Sequence, residues 1–292
     1  MSLLAPTISR RWPSLAGNRR LLLLCLLFFL LSAVLSFWAF FPAEVLQQRL
    51  IQEVSHRSGL KLTSSQPSLL FPLGIELNLK MYPPVEDVKP IAVQKLQVTP
   101  AWTTLFSKAP AIDLQGGLAG GNFAGQAARD GRLQLQFSNI AIDRLQSEAL
   151  PYRATGQLQG RVSGEQLTSS RTAKGAFNLK LTAAKVLGLE NFGLGESVSL
   201  GTLEVDGKFS QRRVNLEKVV MTDGLIEMNG GGNLLVGDRP QKTRLNLNIR
   251  LHPTPSTPQT VRDLLSMSGV KPAADGSYLM RISGTLARPV LR

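Results

Sequence analysis

The side chains that most often perform chemistry in proteins are few in this chain, and they lie far apart. Only two histidines occur, His56 and His252, and neither has a ligand partner four residues away or a Cys-x-x-Cys pair nearby. Ser163 and Ser283 each precede a glycine, but neither lies in the Gly-x-Ser-x-Gly turn of hydrolases. The acidic residues on predicted turns lack the spacing of a calcium-binding loop: Asp113, Asp130, Asp143, Glu165, Asp206 and Asp223. The sequence therefore predicts no catalytic residue, no metal site and no cofactor, and a protein that is not an enzyme.

The segment GLAGGNFAG at 117–125 has the composition of a phosphate-binding loop but not its context. No Gly-Lys-Ser or Gly-Lys-Thr follows it, and no helix is predicted after it whose amino terminus could bind an anion. A bulged β-hairpin explains this segment better than a nucleotide site does.

Residues 21–41 form an unbroken apolar run, LLLLCLLFFLLSAVLSFWAFF, with no charge and only two serines. A helix of this length spans about 31 Å, close to the hydrocarbon thickness of a bilayer. A cleaved secretory signal is the alternative, but its apolar core is usually about 7–15 residues long and small residues follow it. Here bulky Phe37, Trp38, Phe40 and Phe41 end the run, which favours an uncleaved transmembrane anchor.

The charges beside this run predict its orientation. Arg19 and Arg20 precede it directly, and no acidic residue precedes it or lies within it. Because positive charge stays in the cytoplasm, residues 1–20 are expected to form a short basic cytoplasmic tail and residues 42–292 to be exported. Trp38 suits the outer interface of the membrane. We therefore expect Arg19, Arg20 and Trp38 to flank the anchor of a single-pass membrane protein.

The only cysteine of the chain, Cys25, lies inside the apolar run. The exported part can therefore form no disulfide and must fold by burial alone. We interpret Cys25 as a lipid-facing apolar residue, with acylation or a disulfide between two anchors as the alternatives.

The chain carries a net charge of +13, and four of these charges belong to arginines of the amino-terminal tail. The exported part is therefore basic enough to be attracted to anionic headgroups or acidic partners. Aromatic residues make up only 6% of the chain, so the stacking platforms that single-strand nucleic-acid binders need are missing. We expect no nucleic acid among the partners.

Residues 42–59 follow the anchor with the period of an amphipathic helix that Gly59 ends. Its apolar stripe consists of Val45, Leu46, Leu50, Ile51 and Val54. This stripe could lie on the outer leaflet, but packing on the first strands is the more common arrangement and the one we expect.

From about residue 60 the apolar period changes from 3.6 to 2, which predicts a β-rich domain over 60–292. Apolar residues alternate with Gln, Asn, Lys or Arg in 75–81, 133–137 and 245–251, as they do in half-buried antiparallel strands. A change of phase between Val93 and Leu96 predicts a β-bulge. The last strand is expected to carry Met280, Ile282 and Leu286.

The breaks between these runs predict a meander. Asp-Gly pairs at 130–131, 206–207 and 223–224 indicate hairpin turns, because Asp-Gly readily adopts the required backbone conformation. Residues 100–108 could form a short helical turn. A second helix is predicted over 257–268, with Thr257 as its cap, Pro258 at its first position and Gly269 at its end. The predicted fold class is mainly β: one amino-terminal transmembrane helix, then a long curved antiparallel sheet with one or two short helices.

Three stretches together carry a resemblance to a known family. VTPAWTTLFSKAPAIDLQGGLAGGNFAG (98–125) resembles a segment of the type II secretion system protein N family. LGTLEVDGKFSQRRVNLEKVVMTDGLIEMNGGGNLLVG (200–237) is similar to that family and to its wider AsmA-like relatives, and SGTLARPVLR (283–292) resembles the family's ending. The resemblance implies an inner-membrane accessory component of the Gram-negative secretion machine that faces the periplasm and has no catalytic residues.

Two functions remain open at this point. The first is a non-enzymatic envelope protein whose sheet edges and basic rim contact other type II secretion components or the secreted substrate. The second is an AsmA-like protein whose apolar sheet face holds the acyl chain of a lipid. The two differ in whether that face is covered by 43–58 and 257–268 or lies open along its length.

The strand phase also predicts how substitutions act. Leu247→Arg would place an unpaired charge in the sheet core, so we expect it to unfold the exported part. Arg281 lies in the polar phase, and its replacement is expected to have a mild effect.

Overall fold

The protein divides into two compact units, Met1–Pro42 and Ala43–Arg292, in a computed structural model. The structure describes residues 19–39, 43–58, 61–65, 67–71, 73–82, 90–146, 152–169, 171–190, 195–237, 240–267 and 269–291. The expected cytoplasmic tail lies outside these residues except for Arg19 and Arg20.

The first unit contains helix α1, Arg19–Ala39, which covers most of the predicted anchor. Its described side chains between residues 23 and 33 are almost all apolar, and all of them are exposed. Among the described residues, no helix combines the length and the apolar composition required to cross a membrane. The side chains of Arg19, Arg20 and Trp38 lie outside the described part of the chain, so their role as anchor flanks stays a prediction.

The second unit is built on one antiparallel sheet of fifteen strands. The strands are β1 Lys61–Ser64, β2 Ser68–Leu70, β3 Gly74–Tyr82, β4 Ile91–Pro100, β5 Ala111–Leu118, β6 Gly121–Ala128, β7 Leu133–Ala141, β8 Arg153–Glu165, β9 Lys174–Leu187, β10 Ser197–Ser210, β11 Arg213–Thr222, β12 Ile226–Leu235, β13 Arg244–Pro253, β14 Tyr278–Thr285 and β15 Arg288–Leu291. From β3 onward each strand pairs with the next in sequence, while β1 and β2 both pair with β3. The mainly β fold and the meander are therefore confirmed.

The alternation of side chains explains this sheet. β13 alternates strictly between exposed polar residues and half-buried apolar ones, as the sequence predicts. The predicted bulge is also confirmed, because the register between β4 and β5 shifts between Gln94 and Gln97. Lys95 lies in this shift with a φ of 47°. The extra residue restores the apolar phase of β4, so Val93, Leu96 and Val98 are all shielded from solvent.

Two of the three predicted Asp-Gly turns are confirmed. The pairs at 130–131 and 223–224 lie in the connections β6–β7 and β11–β12. The prediction for 206–207 is wrong, since both residues lie inside β10, where the register with β11 shifts between them. Gly207 serves packing instead, because the ring of Phe177 occupies the space where a Cβ would lie.

Helix α2 spans Ala43–Ser58, as the periodicity predicts. It packs on β1, which confirms the expected contact with the first strands. Its buried side chain is Gln47, which donates hydrogen bonds to the Ser64 hydroxyl and, at 2.7 Å, to the Ser65 carbonyl. Of the predicted stripe, Val45 is exposed and Ile51 is half-buried, while the hydrogen bonds come from Gln47, a polar residue outside the stripe.

The remaining helical segments lie in connections. A 3₁₀ turn over Trp102–Thr104 confirms the predicted helical turn, and further 3₁₀ turns span Ile142–Leu145 and Pro240–Lys242. Helix α3, Gln259–Met267, matches the second predicted helix. The predicted cap is not formed by the Thr257 side chain, whose hydroxyl donates to the carbonyl of Leu225.

The sequence places Leu286 in the last strand together with Met280 and Ile282, and this prediction is wrong for Leu286. It lies in the turn after β14 and is 56% exposed. The two residues of that turn reverse the chain into the short strand β15, so the apolar phase of β14 ends before Leu286.

Candidate functional site

One continuous row of apolar residues and glycines crosses thirteen strands, from β3 to β15. Each member lies directly opposite the next: Ile75, Val98, Leu114, Gly125, Leu135, Val162, Phe177, Gly207, Leu216, Gly232, Leu247, Ile282 and Leu291. At about 4.8 Å per strand the row is roughly 58 Å long. This is about twice the thickness of a bilayer's hydrocarbon core, roughly 30 Å.

Two further rows run beside the first one on the same face. One consists of Gly116, Phe123, Phe137, Gly160, Leu179, Val205, Val219, Gly230, Ile249 and Met280. The other consists of Ile140, Leu158, Leu181, Leu203, Met221, Met228, Leu251 and Tyr278. We call the surface formed by the three rows the apolar face. The three rows contain no charged residue, which suits contact with a hydrocarbon chain.

Large side chains lie over the glycines of this face. A Cβ on Gly207 would lie 2.5 Å from Cζ of Phe177, and one on Gly175 would lie 2.4 Å from Cζ of Phe209. The rings therefore occupy the space that the missing side chains of these glycines leave on the neighbouring strands. The sequence pattern shows the glycines but not this pairing, which depends on the register between strands.

Helix α3 covers one end of the apolar face. Val261 and Leu265 of α3 are buried together with Tyr278 and Met280 of β14, and partly buried residues of β12 and β13 pack against this cluster. The sequence leaves open whether 257–268 covers the apolar face, and the structure shows that α3 covers the end at β12–β14. At the other end of the sheet, α2 packs on β1, the first strand of the unit.

The central part of the apolar face has no such cover. Among the described residues, the elements in extensive contact with β5 to β11 are their neighbours in the sheet and, at β8, the 3₁₀ turn Ile142–Leu145. The apolar side chains of these strands are mostly half-buried, such as Leu135, Val162, Leu179 and Leu216. The described part of the face is therefore closed at β12–β14. Between β5 and β11 its first two rows are open, whereas Ile140 and Met221 of the third row are buried.

The opposite surface, the polar face, carries amides and charges in register. One row across nine strands consists of Glu76, Gln97, Gln115, Ala124, Gln136, Arg161, Asn178, Asp206 and Lys218. Neighbouring members form hydrogen bonds, as Gln97 does to Glu76 at 2.9 Å. A hollow of about 790 Å³ is lined by Gln97, Gln115 and Gln136 among others. Asn178 likewise donates to Asp206, and such cross-strand pairs of polar side chains suit a solvated surface.

The strongest electrostatic cluster on this face surrounds Glu204. Lys180 and Lys218 each donate a hydrogen bond to its carboxylate at 2.9 Å, and with their charges these bonds lower the pKa of Glu204 to about 2. The same contact raises the pKa of Lys218. Elsewhere, hydrogen bonds from the Ser277 hydroxyl and backbone lower the pKa of Asp275. Both arrangements stabilise ionised groups at the surface, and neither places an acid beside a base in a cavity.

The described residues hold no group of three or more His, Cys, Asp or Glu side chains that could bind a metal ion. His252 lies in β13, opposite Glu227, and the side chain of His56 lies outside the described residues. Cys25 is exposed on α1. The predictions of no catalytic residue and no cofactor stay predictions.

Comparison with protein-family models, with curated proteins and with solved structures gave no match for this chain.

Proposed function

We propose that the protein is a non-enzymatic envelope protein, tethered by α1, that holds the hydrocarbon chain of a lipid on its apolar face. The observation that supports this proposal is the stretch of two apolar rows between β5 and β11 that no described helix covers. Of the two functions that the sequence leaves open, it favours the AsmA-like lipid-binding one. The exposed apolar side chains of α1 support its role as the anchor, with Arg19 and Arg20 on the cytoplasmic side and Trp38 at the periplasmic surface of the inner membrane.

The energetics of such a face suit exchange better than storage. Moving a hydrocarbon chain out of water is favourable by about 0.8 kcal/mol for each buried methylene. Moving it from a bilayer to an open apolar face returns part of its surface to water, so the face holds the chain less strongly than the bilayer does. An open face could therefore take up and release chains without a chemical step, which agrees with an activity that needs no catalytic residues.

Photo-crosslinking on neighbouring residues tests the proposal. Val162 and Arg161 are adjacent in β8, so their side chains lie on different faces of the sheet. In the neighbouring strand β9, Val162 pairs with Phe177 and Arg161 pairs with Asn178. With p-benzoylphenylalanine in place of Val162, the full-length protein should form adducts with phospholipid in membranes, and mass spectrometry should find phospholipid in the purified wild type. The variant at Arg161 is the matched control. Adducts at both positions, or at neither, would contradict the assignment of the apolar face.

A second candidate is the function implied by the family resemblance, a type II secretion component that acts by protein contact. The outer edge of the sheet favours it. β15 is the last strand, its four residues are exposed, and an unpaired edge can accept a strand from another chain. A photo-crosslinker in place of Val290 should then give adducts with a secretion component or its substrate. The same probe in place of Ser199, in the inner strand β10, is the control and should give no such adducts. Lipid adducts alone at residue 290 would speak against this function.

A further inference from the structure

The connections between strands emerge alternately at two ends of the sheet, because the sheet is a meander. Those after β2, β4, β6, β8, β10, β12 and β14 form the Trp102 end, and those after β3, β5, β7, β9, β11 and β13 form the Tyr152 end. Backbone N–H groups of Arg129, Leu167, Gln211, Val236 and Leu286 donate to carbonyls of the neighbouring connections at 2.6–3.0 Å. The connections of the Trp102 end from β4 to β15 therefore form one joined row.

The two ends differ in charge. The described connections of the Trp102 end carry six basic residues and one acidic residue, Asp130. The basic residues are Lys108, Arg129, Arg132, Arg171, Arg212 and Lys242, and all of them are exposed. The described connections of the Tyr152 end carry three basic and six acidic residues. The positive charge of the described connections is thus concentrated at the Trp102 end, where it would attract an anionic surface.

The Trp102 end also exposes large apolar side chains. Phe106 is 102% exposed, Phe71 is 76% exposed and Trp102 is 49% exposed, and Leu105, Val236 and Leu286 are exposed as well. Phe71 lies beside the Trp102 connection, since Gly74 packs on Thr99 at the end of β4. Aromatic and aliphatic residues among basic ones are typical of surfaces that enter the interface of a bilayer.

Thr104 holds these side chains outward. Its hydroxyl donates to the carbonyl of Ala101 at 2.8 Å and accepts from the backbone N–H of Ala111 at 3.0 Å. These bonds close the connection at its base, so Trp102 and Phe106 are presented by a formed turn. A preformed turn loses little conformational entropy when it meets a partner.

Helix α2 begins on the same side. Gln47, near the start of α2, contacts Ser64, the residue of β1 nearest the Trp102 end. Ser58, the last residue of α2, comes only three positions before Lys61, which lies at the Tyr152 end of β1. α2 therefore runs antiparallel to β1, and Ala43 lies on the Trp102 side of Gln47. The residue at which this unit begins is thus oriented toward the basic end.

From these observations we infer that the Trp102 end docks on the surface of an anionic phospholipid bilayer, with Trp102, Phe106 and Phe71 entering the headgroup region and the basic residues contacting lipid phosphates. This surface is separate from the apolar face, so it goes beyond the proposed binding of a hydrocarbon chain. Docking would place the Trp102 ends of the strands at the membrane surface. One end of the open apolar face would then lie beside the lipids.

Tryptophan quenching in vesicles tests the inference with the full-length chain. The chain has three tryptophans, so Trp12→Phe with Trp38→Phe leaves Trp102 as the only one. In vesicles of phosphatidylcholine and phosphatidylglycerol with brominated acyl chains, Trp102 emission should shift to the blue and lose intensity. The matched control keeps Trp12→Phe and Trp38→Phe and adds Trp102→Phe and Tyr152→Trp, so its single tryptophan lies at the other end. Tyr152 is 44% exposed there. The emission of this control should not change, and equal quenching at both ends, or none, would overturn the inference.

The role of charge has its own test. Lys108→Glu, Arg129→Glu and Lys242→Glu together should reduce the quenching of Trp102, while Arg144→Glu with Lys271→Glu at the Tyr152 end should leave it unchanged. At 0.1 M salt, interactions between exposed charges more than about 10 Å apart are largely screened. If the triple variant folds poorly, a salt titration of the protein with its basic end unmodified therefore gives the same readout. Quenching that resists both changes would contradict a basic docking surface.

A protein partner would give a different result. Trp102 would then stay open to the water-soluble quencher acrylamide in pure lipid vesicles and become shielded only in native membranes. That outcome would assign the Trp102 end to a protein contact and overturn docking on lipid.

Discussion

Gly207 shows at the scale of one residue how the apolar face fits its aromatic rings. Its missing side chain leaves the space that Phe177 fills, and the carbonyl oxygen of Asn215 would lie 2.8 Å from an added Cβ. We expect Gly207→Ala to lower the free energy of unfolding by about 1–3 kcal/mol, because the ring must move off its neighbour. Urea denaturation followed by far-UV circular dichroism measures the change.

Gly117 supplies the matched control for this substitution. It also lies within a strand, but the nearest atom to its added Cβ is the Gln94 carbonyl oxygen at 3.6 Å. Gly117→Ala should therefore leave stability within about 0.5 kcal/mol of the wild type, or raise it slightly. Equal losses at both positions would show that the ring of Phe177 does not determine the effect at Gly207.

Glu204 makes a prediction about pH. Its pKa is about 2 in the folded protein, against an ordinary value of 4.5, because Lys180 and Lys218 hold the carboxylate ionised. The unfolded chain binds the proton more readily, so this stabilisation is complete above about pH 4.5 and disappears as the pH falls toward 2. The difference in melting temperature between the wild type and Glu204→Gln should therefore narrow over this range. A difference that stays constant from pH 6 to pH 2 would show that the carboxylate is not held this way.

At the scale of an element, helix α3 stabilises one end of the sheet, since its residues Val261 and Leu265 form the described core cluster with β14. Leu265 is 9% exposed in that cluster. Leu265→Ala should lower stability by about 2–3 kcal/mol, because it removes packed methyl groups and leaves a cavity. Hydrogen exchange at Tyr278 and Met280 should accelerate, since α3 covers both residues.

Leu264 is the neighbouring leucine and is 42% exposed. Leu264→Ala should change stability by less than about 0.5 kcal/mol and leave the exchange of β14 unchanged. Similar losses from both leucines would mean that α3 turns a different side toward the sheet.

The elements themselves were largely predictable from the sequence. The helix at 43–58, the bulge after Val93 and the alternating strands follow from local periodicity, which the fold preserves. The Asp-Gly pair at 206–207 was mispredicted as a turn, because a turn dipeptide inside a long strand can instead serve packing by a partner such as Phe177, thirty residues earlier. Local pattern cannot reveal a pairing that depends on register between strands.

The existence of the apolar face was predictable from the sequence, but how much of it is covered was not. The strand phase predicts an apolar face, and whether α2 and α3 cover it was left open. The exposure of Trp102 and Phe106 was missed, although an apolar group within a short connection is the signal that could have indicated it. Burial of a loop residue depends on the neighbouring connections, and these are set only once the meander has formed.

At the scale of the whole molecule, the sheet resembles a repeat protein in its energetics. Extensive contacts among the described strands join only sheet neighbours, so β5 and β13 have no direct influence on each other. In such chains stability is close to a sum over neighbouring pairs, and a local change unfolds a local stretch. The expectation that one substitution would unfold the entire exported part therefore needs revision.

Leu247→Arg tests this revised view. Leu247 lies opposite Gly232 and Ile282 on the apolar face, so an arginine there places a charge without a partner among apolar neighbours, at a cost of several kcal/mol. We expect fast hydrogen exchange in β12 to β14 and α3, with slow exchange retained in β5 to β8. Asn248→Arg puts the same side chain on the polar face of the same strand and should behave like the wild type. A single cooperative loss of protection over the whole sheet would show coupling beyond neighbours, and unchanged protection would show that Leu247 faces solvent.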